Sequence, residues 1–131
     1  MTRSSGILLP VSALPGPCGI GDLGTAAREF IDFLAAAGQR YWQILPLNPP
    51  DSAHSPYLSA STFAGSTDLL SPEPFMARGA LTLDEVRSVD WGGDPMRVDY
   101  GRVHAGKTAL WAAAFAREQA AVTLSLIHIS E

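Results

Sequence analysis

Cysteine is almost absent from this chain, which carries Cys18 as its single thiol among 131 residues. One cysteine excludes an internal disulfide framework and a metal site built from thiolates alone, and it is typical of a protein kept in a reducing compartment. Lysine and arginine are also sparse, nine against thirteen acidic residues, and they form no run, so the net charge is −4. Because phosphate backbones are bound by clustered positive charge, we expect no nucleic-acid partner.

Long hydrophobic runs are missing as well. The first apolar stretch, Ile7 to Leu9, ends at Pro10 and is much shorter than the core of a signal peptide or a membrane span. The composition, 47% hydrophobic and 17% charged residues, is that of a folded domain with a core. We therefore expect a cytoplasmic protein without a membrane partner.

No cluster of residues marks a metal site or an acid–base pair. The three histidines lack the spacing of zinc ligands, and no two carboxylates stand out as an acid and a nucleophile. Most acidic side chains lie at positions typical of helix caps and turns. The sequence thus predicts no metal and no cofactor.

The N-terminal third predicts a β-α-β unit. Gly6–Leu9 and Tyr41–Leu45 are apolar runs that each end at a proline, as expected of two strands. Between them, apolar residues at helical spacing predict a helix over about Thr25–Ala37, with Thr25 as its N-cap and Gly38 as its left-handed C′ residue. Because neither strand alternates polar and apolar residues, we expect a parallel sheet that is buried on both faces.

The second half predicts helices. A short helix is expected between Ser71 and Gly79, and another is opened by a capping box of Thr82 with Glu85. A longer helix is expected over about Arg102–Ala121, because apolar residues recur there along one side.

The C-terminal residues 123–131 do not continue this pattern. Leu124 to Ile129 is β-prone and begins abruptly, so it is either an edge strand or a segment foreign to the protein. We favour the second interpretation. The domain is then expected to occupy residues 1–122, followed by a non-native tail over 123–131.

Three glycines, Gly19, Gly21 and Gly24, match the Gly-x-Gly-x-x-Gly fingerprint of dinucleotide-binding loops. In that motif the glycines follow a strand directly, because the helix must start where the pyrophosphate meets the sheet edge. Here eight residues, two of them prolines, separate Pro10 from Gly19. A nucleotide-binding module remains an alternative to the simpler interpretation, in which the glycines let a loop turn closely into a helix.

A long loop follows the second strand, from Asn48 to Gly65. It leaves the C-terminal end of that strand, where α/β sheets place their ligands. Within it, Ser55-Pro56-Tyr57 offers a rigid apolar face with one hydroxyl, which suits a sugar ring because sugars combine C–H faces with hydroxyl rims. Judged from these residues alone, packing of Tyr57 onto the sheet is an equal alternative.

Several blocks of the sequence resemble amylomaltases, the bacterial 4-α-glucanotransferases (disproportionating enzymes) of the α-amylase clan, and occur in the same order. The resemblance extends over about Arg3 to Phe115. The blocks are Ser5-Gly6-Ile7-Leu8-Leu9, Leu14-Pro15-Gly16-Pro17, Gly19-Ile20-Gly21-Asp22-Leu23-Gly24, Trp42-Gln43-Ile44-Leu45-Pro46-Leu47, Ser55-Pro56-Tyr57, Phe63-Ala64-Gly65 and Val98-Asp99-Tyr100.

This resemblance implies an α/β fold, namely an incomplete (β/α)8 barrel made of its first β-α-β unit, the following loop and a helical insertion. It implies transfer of α-1,4-glucan segments between maltooligosaccharides, or to glucose, by a retaining double displacement. The catalytic carboxylates of such enzymes are expected on later strands, so the chain is expected to be an N-terminal fragment, inactive by itself and without a catalytic residue. A non-catalytic glucan-binding piece is the remaining alternative.

The resemblance also carries over three site residues. Ser55 and Tyr57 are expected to line glucan subsites near the cleavage point, and Tyr100 is expected near an outlying glucan-binding surface. Some positions depart from the family pattern. Cys18 stands where members usually have tyrosine, and Ser52 and His54 stand in a loop where many members have tyrosine and an acidic residue. These departures put the chain-length preference in question, and the oligomeric state is not indicated.

Overall fold

The computed structural model describes residues 2–61 and 63–130, with side chains as far as residue 125. Its elements, in chain order, are strand β1 (Gly6–Leu8), helix α1 (Thr25–Ala36), strand β2 (Tyr41–Gln43) and helices α2 (Glu73–Ala77), α3 (Leu83–Arg87) and α4 (Tyr100–Ser130). Single 3₁₀ turns occupy Val11–Ala13 and Thr67–Leu69. None of the described helices has an apolar stretch of the length that a membrane crossing requires.

The two strands pair in parallel, which confirms the predicted β-α-β unit. Gly6 lies opposite Tyr41, and the register continues for two further pairs. Beyond the strands, the Leu9 amide donates to the Gln43 carbonyl at 3.0 Å and the Trp42 indole donates to the Leu9 carbonyl at 2.8 Å. Glycine at position 6 is required by this pairing, because a Cβ there would lie 2.6 Å from the Tyr41 carbonyl oxygen.

The expectation that both strands are buried is wrong. Leu8 and Tyr41 are 58% and 64% exposed. Within the described residues the sheet has two strands, so each strand has one unpaired edge. A partial cover comes from α1, where Phe30 contacts Trp42 edge-to-face with ring centroids 5.1 Å apart. The apolar composition of the strands is therefore suited to a larger sheet than this chain supplies.

Helix α1 is capped from a distance rather than by its own sequence. Gly24 occupies the N-cap position and Thr25 is the first helical residue, so the assignment of Thr25 as N-cap is wrong. The Glu73 carboxylate instead accepts hydrogen bonds from the Thr25 amide and hydroxyl, both at 2.8 Å. A negative charge at this end of a helix also complements the helix dipole. The predicted C-terminal end is confirmed, since Gly38 has φ 75°.

A hydrophobic core lies where α4 crosses α2 and α3. Its buried members are Cys18, Ala80, Leu81, Val86, Leu110 and Ala114. Two polar contacts also hold α4. The Trp111 indole donates to the Thr67 carbonyl of the 3₁₀ turn at 3.0 Å, and Arg117 pairs with Glu85 of α3. The capping box of Thr82 with Glu85 is present, as predicted.

The edge-strand alternative for the C-terminal residues is wrong, because α4 continues as a helix to Ser130. Once a helix is nucleated, each added residue gains a backbone hydrogen bond for a small loss of conformational entropy. The helix that forms in the alanine-rich stretch before residue 122 therefore extends through the β-prone residues. The foreign origin of residues 123–131 stays a prediction. Residue 131 itself lies outside the described residues.

The ion pair between α3 and α4 makes the fold sensitive to acid. Arg117 donates to both Glu85 carboxylate oxygens, at 2.7 and 2.8 Å. Together with the Thr82 amide, it lowers the pKa of Glu85 from 4.5 to about 2. Because this pKa is lower in the folded than in the unfolded state, the pair stabilises the fold above about pH 4.5. That contribution is lost as the pH falls towards 2.

We predict that Glu85→Gln lowers the free energy of unfolding at pH 7 and has a much smaller effect at pH 2. The measurement is urea unfolding of the wild type and the variant at both pH values. Glu29→Gln, at an exposed position on α1, is the control. An equal effect of Glu85→Gln at both pH values contradicts the role given to this pair.

Candidate functional site

A cleft of about 420 Å³ opens between the loop that follows β2 and the start of α4. Its apolar lining consists of two prolines and two flat rings, Pro49, Pro50, His54 and Tyr100. Its polar lining includes Asp51, Asp68 and His104. Apolar walls with a few placed polar groups are typical of small-molecule sites. Part of its lining comes from the loop after β2, in which the sequence predicts a ligand site.

Two aromatic rings stack in this cleft. The imidazole of His54 and the phenol of Tyr100 have centroids 4.1 Å apart and planes that differ by 9°. His54 comes from the loop, whereas Tyr100 is the first residue of α4. The stack therefore joins two segments that are distant in the sequence, with one face of each ring covered by the other.

The loop around His54 is held by a single carboxylate. One oxygen of Asp51, Oδ1, accepts hydrogen bonds from the amides of Ala53 and Ser55, at 3.0 and 3.1 Å. The Asp51 carbonyl accepts from the His54 amide at 2.9 Å. His54 itself has φ 60°, in the left-handed region. Aspartate is suited to this arrangement, because its short side chain reaches amides two to four residues further along the chain.

One rim of the cleft is polar. His104 Nδ1 lies 2.9 Å from Asp68 Oδ1 and 3.2 Å from Oδ2. His104 follows Tyr100 by one turn of α4, so both side chains lie on the same face of the helix. Asp68 comes from the 3₁₀ turn at Thr67–Leu69 and its side chain is 13% exposed. This carboxylate keeps acceptor capacity next to the aromatic surface.

The structure separates the three predicted site residues. Tyr100 lines the cleft. Ser55 is half-buried and contributes to the loop through its backbone bonds with Asp51, whereas Tyr57 is 68% exposed. This exposure argues against the alternative in which Tyr57 packs onto the sheet. Neither Ser55 nor Tyr57 is among the residues that line the cleft.

Sequence reasoning missed His54, Asp68 and His104 as neighbours of Tyr100. One signal for His104 was available, since Tyr100 and His104 are four residues apart in a helical segment and share a face. His54 was noted only as a departure from the family pattern. Its position depends on a left-handed backbone, which is uncommon for a residue other than glycine.

The glycine loop, residues 19–24, packs closely against the backbone of neighbouring segments. A Cβ at Gly21 would lie 2.1 Å from the Val11 carbonyl oxygen, and one at Gly19, where φ is 71°, would lie 2.5 Å from the Trp91 carbonyl oxygen. Two amides of this loop are already used within the protein, since the Gly21 amide donates to the Ser12 carbonyl and the Leu23 amide to the Leu69 carbonyl, both at 3.0 Å. Glu73 occupies the start of α1 with a negative charge. The nucleotide-binding alternative therefore has no support in this geometry, whereas the close-turn interpretation is confirmed.

Cys18 is also accounted for by packing. It is fully buried, and this burial raises the pKa of its thiol to about 11. At neutral pH the group is thus a protonated thiol, which is a poor nucleophile and a poor metal ligand. Within the described residues no group of three or more His, Cys, Asp or Glu side chains is arranged to hold a metal ion.

Comparisons with known proteins agree on one family. A sequence model of the family described as 4-alpha-glucanotransferase matches residues 9–126. The chain is 42% identical over 108 residues to 4-alpha-glucanotransferase from Streptococcus pneumoniae serotype 4, which is 82% of this chain and 21% of that protein. It is 46% identical over 107 residues to 4-alpha-glucanotransferase from Thermus thermophilus, which is 82% of this chain and 20% of that protein.

A solved structure supports the same relationship. Amylomaltase from Streptococcus agalactiae, in complex with acarbose, superposes with a TM-score of 0.85 at 35% sequence identity. The match covers 96% of this chain and 26% of that one. The chain thus spans about a fifth of the length of the relatives it matches in sequence.

The glycine loop gives a prediction that separates packing from phosphate binding. We expect Gly21→Ala to lower the free energy of unfolding by about 2 kcal/mol or more, because the added methyl group forces backbone atoms apart. Gly93→Ala is the control, since a Cβ at that position meets nothing within 4 Å. Urea unfolding measures both effects, and calorimetric titration with NAD is expected to show no heat. An unperturbed Gly21→Ala variant, or saturable NAD binding, contradicts the packing interpretation.

Proposed function

This chain belongs to the 4-alpha-glucanotransferase family, and from that premise we propose that it forms the N-terminal part of a (β/α)8 barrel that carries out the family's reaction. In that reaction α-1,4-glucan segments pass between maltooligosaccharides, or to glucose, through a retaining double displacement. Resemblance to amylomaltases, inferred above from ordered sequence blocks, is confirmed by the match over residues 9–126 and by the superposed amylomaltase. The barrel and the reaction are proposals for the longer protein.

The exposed parallel sheet supports the barrel. β1 and β2 each have an unpaired edge, and apolar side chains such as Leu8 and Tyr41 are left open to solvent. Parallel sheets occur almost only with both faces covered, and barrel closure removes the unpaired edges. Further parallel strands and helices would satisfy both requirements.

The observation that carries the functional proposal is the stacked pair of His54 and Tyr100 in a cleft lined by the loop that follows β2. The outer face of a stacked aromatic ring suits the C–H face of a sugar, and the adjacent carboxylate of Asp68 offers acceptors for hydroxyl groups. The related amylomaltase was solved with acarbose, which is in keeping with an oligosaccharide ligand. We assign maltooligosaccharides as the ligand of this surface.

Ser55 and Tyr57 complete the proposed binding region. Tyr57 follows a proline and exposes 68% of its surface, so a ring with one hydroxyl is available at the outer side of the loop. In the longer protein we place Ser55 and Tyr57 near the cleavage point and Tyr100 at the outlying surface. A glucan chain undergoing transfer then contacts both the loop after β2 and the start of α4.

We predict that the chain binds maltohexaose and that Tyr100→Ala weakens this binding about threefold to tenfold, the loss expected for one aromatic stacking partner. Calorimetry or NMR titration gives the dissociation constants. Phe115→Ala removes another exposed ring of α4 that does not line the cleft, so it serves as the matched control. Equal affinities of the wild type and Tyr100→Ala would show that Tyr100 is not part of the binding site. The same titration with Tyr57→Ala tests whether Tyr57 contributes to binding.

We further predict that the chain by itself does not convert maltotriose. The retaining mechanism requires a nucleophilic carboxylate and a second carboxylic acid, and the family resemblance places both on later barrel strands. Chromatography of a long incubation with maltotriose is therefore expected to show neither glucose nor longer oligomers. Formation of glucose and longer oligomers at a rate proportional to the protein concentration would contradict the assignment of the catalytic groups to later strands.

A further inference from the structure

His54 has an unusual backbone conformation. Among the non-glycine residues that the structure describes, it is the one with a positive φ, 60°. A left-handed conformation is strained for a residue with a side chain, and it persists only where the surroundings enforce it. The same residue provides half of the aromatic surface in the cleft.

The groups that enforce this conformation come from Asp51. Its Oδ1 accepts from the amides on both sides of His54, those of Ala53 and Ser55, at 3.0 and 3.1 Å. Its carbonyl accepts from the His54 amide at 2.9 Å, and its own amide lies 3.5 Å from the Ser55 carbonyl oxygen. Every described amide from residue 53 to residue 55 is therefore bonded to Asp51.

This arrangement fixes the direction of the imidazole. The position of a Cβ, and hence of the ring, follows from the backbone dihedral angles, so releasing His54 from the left-handed region turns the side chain away from its present direction. Tyr100 cannot follow, because it belongs to α4, whose packing against α2 and α3 is independent of the loop. The two rings are parallel only while Asp51 holds the turn.

We propose that Asp51 is a positioning residue of the glucan surface: it holds His54 against Tyr100. The inference rests on the proposed function only in taking the two rings as a glucan surface. What Asp51 contributes is the acceptor atom rather than the negative charge. Asparagine, which has an equivalent Oδ1 and tolerates turns of this kind, is therefore an adequate substitute, and alanine is not.

The first test measures the stack without any ligand. NMR of the 131-residue chain, in the wild type and in Tyr100→Ala, gives the chemical shift that the Tyr100 ring induces in the His54 ring protons. We expect Asp51→Ala to lose most of this shift and Asp51→Asn to retain it. Far-UV circular dichroism and urea unfolding confirm that the variants are folded. Retention of the full shift in Asp51→Ala overturns the proposal.

The second test measures binding of maltohexaose. We expect Asp51→Ala to weaken it about threefold to tenfold, corresponding to loss of one ordered stacking partner, and Asp51→Asn to match the wild type. Ser59→Ala is the control, since it removes a hydrogen bond of 2.9 Å to the Ser61 carbonyl elsewhere in the same loop. We expect this variant to bind like the wild type.

A double-mutant cycle separates positioning from a general structural role. His54→Gly removes the ring and fits a positive φ, so Asp51→Ala should have no further effect on affinity in that background. An equal loss with and without the His54 ring overturns the proposal. If the wild type binds no maltohexaose at all, the proposed function fails, whereas the NMR comparison still decides whether Asp51 positions His54.

Discussion

The rest of the structure depends on one buried ammonium group. Lys107 of α4 is fully buried, and its Nζ donates to the Leu70 carbonyl at 2.6 Å and lies 3.4 Å from Asp22 Oδ2. Burial raises the pKa of the Asp22 carboxyl, while the ammonium group lowers it. A charge inside a protein is costly unless it is paired and hydrogen-bonded, so these three segments must meet at this point for the chain to fold.

This contact also fixes the relative positions of the segments that form the cleft. Asp22 belongs to the glycine loop that leads from β1 to α1, and Leu70 follows the turn that carries Asp68. Lys107 and Tyr100 lie on the same helix, two turns apart, so fixing one fixes the other. The position of Tyr100 in the cleft is therefore fixed by the packing of α4. The loop after β2 contacts the helix there through the stack of His54 on Tyr100. The glycines of the loop follow from the same packing, since no Cβ fits at Gly21.

Much of this fold could be predicted from local sequence. The parallel β-α-β unit, the left-handed Gly38 and the capping box of Thr82 are properties of short segments, and each is present. The errors concern features that depend on distant residues. Glu73 caps α1 from 48 positions away, and the exposure of β1 and β2 depends on which strands are available to pair with them.

The site shows the same division. The sequence indicated the loop and Tyr100, because their residue types and family blocks are local. It did not indicate that His54 meets Tyr100, since that contact joins positions 46 residues apart through a left-handed backbone that side-chain composition does not encode. Nor did it predict that Tyr57 points outwards while His54 lines the cleft. The direction of each side chain in a loop depends on the turns of its backbone, which the residue types alone do not specify. In this loop the turn at residues 53–55 is fixed by hydrogen bonds to Asp51.

The sheet and the cleft of this chain differ in how far their hydrogen-bonding groups are paired within the described residues. Within the described residues each strand has one unpaired edge, whereas the groups that line the cleft come from the loop after β2, the 3₁₀ turn at Thr67–Leu69 and the start of α4. Hydrogen bonds to Asp51 hold the turn at residues 53–55, so this part of the cleft is fixed by contacts within the loop itself. In the function proposed above, binding of a glucan and the chemistry performed on it therefore belong to different parts of the longer protein, the cleft of this chain and the later strands expected to carry the catalytic carboxylates.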